Sequence, residues 1–356
     1  MSSPRGEPGR VIRSILVLAA AALSFVSGVA PAREIVLTND DGLTSNVVAL
    51  YKALKAAGHD VIVSVPCTNQ SGMGAAMYIA KPLPPLAADC LNAAAKAGAP
   101  GAGPMSAPGL AGDFFYVDGT PVMSLLYGLD IVAQKRWGHP PELVLSGPNQ
   151  GQNLGAIVIG SGTVSNAEVA ALRGIPAIAL SAGANTTGTA QAPLANPLSA
   201  DVAKLAVKLV AALDTPGSSL LPPGLALNVN FPDQLEGAGW RATVPGTWND
   251  LRMTFSENMA ANVSPVMAKM AKSRGMTLPQ LPGIVIDANA TQPTAQQGDD
   301  EAVVNKRDIT VTPLQAGYAA GAAAQRWVSD RLTPLLAPAP SPGPAPVSPS
   351  PSPQPR

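Results

Sequence analysis

From Glu34 onward the chain alternates short apolar runs with amphipathic stretches, and few folds accommodate that pattern. Short buried strands separated by helices pair in parallel, because a crossover must return the chain to the same end of the sheet before the next strand begins. The first unit is the clearest. Residues 34–38 read as a buried strand, 39–42 as a turn, and 47–57 as a helix with Ser45 or Asn46 as its cap and Gly58 at its end. A second buried strand spans 61–65 and stops at Pro66, which cannot donate to a central ladder.

The same reading predicts strands at 114–117, 143–146, 177–181, 225–231 and 309–312. It predicts helices starting at Thr120-Pro121 and spanning 163–173, 199–213 and 318–332. Residues 84–112, rich in Ala, Gly and Pro, read as a surface insertion, and 147–162 as a long Gly/Asn loop. The stretch 233–305 lacks a steady period and reads as extended hairpins or an arm. Beyond residue 335 the chain is almost entirely Pro, Ala and Ser, a solvated polyproline-like tail (336–356).

At its start, Arg5, Arg10 and Arg13 precede an apolar run from 14 to 26 and the small residues Ala30-Pro31-Ala32. This is the pattern of a signal peptide over 1–32, and the run is shorter than the roughly 20 residues a spanning helix needs. The expected location is therefore periplasmic or secreted, with no stable membrane anchor and a mature chain beginning near Arg33. Lys plus Arg and Asp plus Glu each total 23, so no net field draws the chain to duplex nucleic acid or an anionic membrane. The two cysteines, Cys67 and Cys90, are either a bridge formed in an oxidising compartment or two small hydrophobes. A bridge would tether the 84–112 insertion to the loop that follows the second strand.

Thr38-Asn39-Asp40-Asp41-Gly42 places two adjacent carboxylates just past a buried strand, at the end of the sheet where α/β proteins bind ligands. Side by side in a partly dry loop, both stay ionised only with a cation between them. All-oxygen ligation suits Mg²⁺, Mn²⁺ or Ca²⁺. Two further polar loops leave the same edge, Asn69-Gln70-Ser71-Gly72 and Gly147-Pro148-Asn149-Gln150-Gly151, so Ser71 and Asn149 can add neutral oxygens to such a site. Ser161-Gly162-Thr163 opens a helix whose first N–H groups suit a phosphate. Only His59 and His139 are present, and the chain has neither a nucleophile elbow nor a P-loop, which sets aside Ser-His-Asp and P-loop chemistry.

These segments, in this order, resemble the SurE family of survival-protein nucleotidases. The resemblance continues through Asn153-Leu154-Gly155, Gly174-Ile175-Pro176-Ala177, Asn228-Val229-Asn230-Phe231-Pro232 and Ile309-Thr310-Val311-Thr312-Pro313-Leu314. It implies a Rossmann-like α/β domain over 33–335, with a mostly parallel sheet flanked by helices and an extended C-terminal arm, assembled as a homodimer or homotetramer. It further implies a divalent-metal-dependent 5′/3′-nucleotidase that hydrolyses nucleoside monophosphates with a metal-activated water. By motif position, Asp40, Asp41, Ser71 and Asn149 would ligate the metal, Asp40 and Asp41 forming its catalytic core. Asn39, Ser161 and Thr163 would lie near the phosphate. Departures from the family pattern cluster around the site: Cys67-Thr68 replaces an Asp-Arg pair, Met123-Ser124 replaces Asp-Cys, and Gly160 replaces a tyrosine. The alternative expectation is a non-catalytic, exported metal- or phosphate-binding protein on the same fold.

Overall fold

In the computed structural model, nine strands form one sheet in the order β3-β4-β2-β1-β5-β6-β7-β11-β8. The structure describes residues 32–336 apart from 111, 215–217, 262 and 274–276, so the expected leader (1–32) and tail (336–356) lie outside the described residues except for Ala32 and Leu336. The strands are β1 (Glu34–Thr38), β2 (Asp60–Pro66), β3 (Ala102–Pro104), β4 (Phe114–Val117), β5 (Leu143–Gln150), β6 (Ala177–Ala182), β7 (Leu225–Asn230), β8 (Trp240–Ala242), β9 (Leu251–Ser256), β10 (Gly283–Ala288) and β11 (Ile309–Gln315). From β4 through β2, β1, β5 and β6 to β7 every pairing is parallel, while β3 and β11 join antiparallel to β4 and β7.

Helices cover both faces because the central strands are apolar on both. On one face, α1 (Ser45–Ala56) and α5 (Pro197–Leu213) bury Leu50, Leu54, Val202 and Leu209 against Ile35, Leu37 and Leu145. On the other, α2 (Pro121–Tyr127) and α4 (Gly162–Leu172) bury Leu125, Val164 and Ala170 against Val36, Ile62 and Val144. A π turn at Gly128–Ala133 carries α2 into the short α3 (Gln134–Arg136). The remaining helices are α6 (Pro265–Ser273), α7 (Glu301–Val304) and α8 (Ala322–Leu332). Among the described residues, no helix is long and apolar enough to cross a membrane.

The chain leaves β1 through α1 to β2 on one side, and later returns through β5 on the other side of β1, in register Ile35↔Leu143 to Thr38↔Ser146. This reversal of strand order opens a crevice beyond the C-terminal ends of β1 and β5, where α/β sheets hold their ligands.

Several expectations require correction. Thr44, not Ser45 or Asn46, caps α1, accepting from Val47 N–H at 3.5 Å; Ser45 and Asn46 are buried and bond across to Thr186. Strand β5 continues to Gln150, where a loop was expected from Gly147, because a bulge between Ser146 and Asn149 lets the chain resume pairing with β6. The 84–112 segment is no mere surface insertion. Leu86, Cys90, Ala94 and Ala95 are buried in the main core, β3 extends the sheet, and a Cys67–Cys90 disulfide ties the segment down. His59 is buried and accepts the Arg33 backbone N–H at 3.2 Å. Within 233–305, β9 and β10 pair antiparallel with α6 between them in the chain, and β8 joins the main sheet beside β11. The final helix starts at Ala322, four residues later than expected, and all its residues are exposed.

Candidate active site

The turn after β1 is shaped by Asn39. Its amide donates to Gly42 O at 2.8 Å and accepts Gly42 N–H at 3.1 Å, which folds the backbone so that Asp40 and Asp41 stand at the mouth of the crevice. Gly42 has φ +87°, and a Cβ there would lie 3.0 Å from Pro66 O, so glycine is the residue that closes the turn. Asn39 is itself fully buried and spends both side-chain atoms on Gly42, so it builds the turn rather than facing a ligand.

The two carboxylates are only 3% exposed each, yet they are held by different partners. Asp41 accepts Asn69 Nδ2–H at 2.7 Å on one oxygen and Gln150 N–H at 2.8 Å on the other. Asp40 accepts Thr163 Oγ1–H at 2.5 Å and faces the N-terminus of α4. Burial pushes the Asp40 carboxyl above its usual range, against the pull of that hydroxyl and of the Asp40, Gly162 and Thr163 backbone N–H groups. Gly162 permits the approach: a Cβ there would fall 2.7 Å from Asp40 Cβ and 2.6 Å from Pro121 Cγ.

Ser161 and Thr163 are therefore placed differently from the expectation that they face a phosphate. Ser161 caps α4, accepting Val164 N–H at 3.1 Å, and Thr163 is fully buried on Asp40. A buried carboxylate needs donors, and the first turn of α4 supplies them.

Asn149 follows the β5 bulge, beside the Gln150 amide that grips Asp41. Its Nδ2–H donates to Gly151 O at 2.7 Å, while its buried Oδ1 has no hydrogen-bond partner. Gln70 N–H donates to Asp40 O at 2.8 Å and docks the 69–72 loop against the turn, but Ser71 is exposed at the rim, tied through its backbone N–H to Asn69 Oδ1 at 3.0 Å. Asp40 and Asp41 share one turn, and the Gln150 N–H bond brings Asn149 to the same end of the sheet beside Asp41, with Ser71 at the rim. Two carboxylates and a partnerless amide oxygen form an all-oxygen donor set, which fits a hard divalent cation. Among the described residues no group of three or more His, Cys, Asp or Glu could hold a metal, so a nitrogen- or sulfur-rich centre does not compete with it. Asn69 and Gly162 carried no assigned role in the sequence reading. The available signal was their position, in the loop after β2 and at the start of α4, both at the ligand-binding end of the sheet.

A mostly parallel sheet covered by helices on both faces, with buried carboxylates at its switch point, defines an α/β protein of the doubly wound class whose ligand site lies at the C-terminal ends of the strands. Family comparison makes this specific: the profile of the Survival protein SurE family matches residues 35–250, and the chain belongs to the SurE family. A 5′-nucleotidase SurE of Nitratidesulfovibrio vulgaris is 30% identical over 290 residues, covering 80% of this chain and 94% of its own. A 5′-nucleotidase SurE of Thermosipho melanesiensis is 31% identical over 212 residues, covering 59% of this chain and 70% of its own. An acid phosphatase of Yarrowia lipolytica is 35% identical over 210 residues, but the match spans only 56% of either chain. The crystal structure of the SurE protein from Aquifex aeolicus superposes with a TM-score of 0.57 at 25% identity, over 84% of this chain and 99% of its own.

Proposed function

We propose that this chain is a divalent-metal-dependent phosphomonoesterase that removes phosphate from nucleoside monophosphates at the 5′ or 3′ position. One observation carries the reading: at the switch point a buried pair of adjacent aspartates meets a buried amide oxygen, Asn149 Oδ1, that has no partner. Kinship with proteins named 5′-nucleotidase and acid phosphatase supports the reaction class.

Mg²⁺ or Mn²⁺, with Ca²⁺ as a third option, would be held by Asp40, Asp41, Asn149 and, from the rim, Ser71, and would supply positive charge to the phosphoryl oxygens and acidify the attacking water. The protein's own part is preorganisation. Asn69 and the Gln150 amide aim the Asp41 carboxylate, Thr163 and α4 aim Asp40, and the Asn39–Gly42 bonds keep both on one turn. Carboxylates fixed before a ligand arrives need little reorganisation during reaction.

The test is phosphate release from nucleoside 5′- and 3′-monophosphates with Mg²⁺ or Mn²⁺, for the wild type and Asp40→Asn. Because burial already favours an uncharged Asp40, the asparagine variant should fold normally and lose metal-dependent turnover; near-normal activity would refute the assigned role. Metal binding without release from any ester would shift the reading to a non-catalytic metal- or phosphate-binding protein.

The basic leader and its apolar run support export to the periplasm or medium, and sequencing of the exported chain should begin near Arg33. Exposed Phe255 and Ile284 on the β9–β10 pair and Trp327 on α8 support a homodimer or homotetramer, which light scattering would measure.

A further inference from the structure

Glu301, the first residue of α7, is fully buried about the sheet and receives three donors from three separate elements. Gly155 N–H reaches Oε1 at 2.6 Å; Asn228 Nδ2–H from β7 and Thr312 Oγ1–H from β11 reach Oε2 at 3.1 and 2.7 Å. The Gly155 bond matters most for the site. Gly155 opens the 3₁₀ turn Gly155–Gly160, which leads directly into Ser161 and the N-terminus of α4 that holds Asp40. Two residues before Gly155, Asn153 O accepts Asn228 Nδ2–H at 2.9 Å and Asn230 Nδ2–H at 3.0 Å, while Asn153 N–H donates to Asn230 Oδ1 at 2.8 Å. The chain that leads from Asn149 to α4 therefore runs through a segment clamped to β7 and to Glu301.

We propose that Glu301 is a positioning residue whose carboxylate locks the Asn153–Gly155 segment, and that protonation of this buried group loosens the lock and slows turnover. The inference rests on the phosphatase reading of the Asp40–Asp41 site. An ionised carboxylate only accepts: Gly155 N–H and Asn228 Nδ2–H donate to Glu301 in either state, and the Thr312 hydroxyl donates to it when it is charged. Adding a proton removes the charge that strengthens those bonds. The proton has one accommodating partner, Thr312 Oγ1, which lies 2.7 Å from Thr243 Oγ1 and can reverse, accepting from Glu301 and donating to Thr243. Burial, reinforced by the like charge of neighbouring Asp300, pushes the Glu301 carboxyl up to about 7, against its three donors. Other facing groups are neutral: Asn228 on β7, Thr312 on β11, Thr243 beside them and the backbone at Gly155. Lys306, two residues past the end of α7, lies 4.5 Å over the Trp248 ring.

The experiment compares wild type and Glu301→Gln in two readouts: the pH profile of metal-dependent phosphate release from a nucleoside monophosphate, and amide hydrogen exchange of the 151–160 segment. The glutamine removes the charge: its carbonyl can accept from Gly155 and its amide can donate to Thr312, although that amide, unlike the acid's oxygen, cannot accept the Asn228 Nδ2–H. Wild-type kcat should rise about five- to tenfold through neutrality, matching a change from a neutral to a charged hydrogen-bond acceptor. The variant should stay flat at the low value with KM within about twofold of wild type, and its 151–160 amides should exchange faster at pH 8. A variant that keeps both the wild-type inflection and the wild-type protection overturns the proposal. Were the wild type to release no phosphate, the phosphatase reading would fall, and exchange alone would still decide the lock: loss of protection in Glu301→Gln supports it, and unchanged protection overturns it.

Discussion

Replacing Glu301 with Gln should change how stability depends on pH, and the size of the change follows from its surroundings. An exposed glutamate titrates near 4.5, whereas burial pushes Glu301 up to about 7, a gap of about 2.5 pH units. At about 1.4 kcal/mol per unit, this sets an upper bound of about 3 kcal/mol. The sign follows from which state holds the proton. Below 4.5 both folded and unfolded chains carry it; between 4.5 and 7 only the folded chain does, so folding stability falls as pH rises through that window and levels off above 7. Desolvation of the carboxylate exceeds what Gly155, Asn228 and Thr312 return. Glutamine does not titrate, so the wild-type-minus-variant difference isolates this residue from every other group. Urea denaturation of both proteins at intervals from pH 4 to 8 should show that difference declining by about 2–3 kcal/mol, centred between 5 and 7. Parallel stability curves would show that Glu301 is not a desolvated acid and would remove the physical basis for its pH-dependent lock.

Gly162→Ala should force Asp40 or Pro121 aside, because the added Cβ meets Pro121 Cγ at 2.6 Å and Asp40 Cβ at 2.7 Å. A loss of about 1–3 kcal/mol in denaturation, with weakened Mg²⁺ or Mn²⁺ binding by calorimetry, is expected, and unchanged metal affinity would contradict the packing argument. Replacing both cysteines, Cys67→Ser with Cys90→Ser, opens a loop with a sequence separation of 23. Chain-entropy reasoning gives a loss of about 3 kcal/mol; peptide mapping without reductant should find the bridge in wild type, and two free thiols there would remove the prediction.

Much of this molecule is legible in short stretches of chain. The apolar run 34–38 followed by Asn39-Asp40-Asp41-Gly42 marks a central strand that ends in a charged turn, and Thr120-Pro121 marks the start of α2 to the residue. Such features depend on neighbours a few positions away, through side-chain alternation, capping and the fixed φ of proline. The convergence of the Asp40, Asn69 and Asn149 loops was also foreseeable, because parallel strands deliver their C-terminal ends to one edge.

What the chain alone could not disclose is which partner each polar group finds once the sheet has closed. Asp299, Asp300 and Glu301 are consecutive acidic residues, yet Asp300 accepts backbone N–H groups of Thr247 and Trp248 while Glu301 turns inward. Asp40 meets Thr163 across 123 residues and Asp41 meets Gln150 across 109, and no periodicity encodes bonds of that span. The 84–112 segment has too little pattern to announce a core, and it gains one because Cys67 lies at the end of β2 where Cys90 can reach it. Sequence determined where charge would be set down, at the end of β1, since that is local stereochemistry. Tertiary structure decided how that charge is held, because burial removes water and obliges each carboxylate to take whichever donors the folded sheet brings within reach.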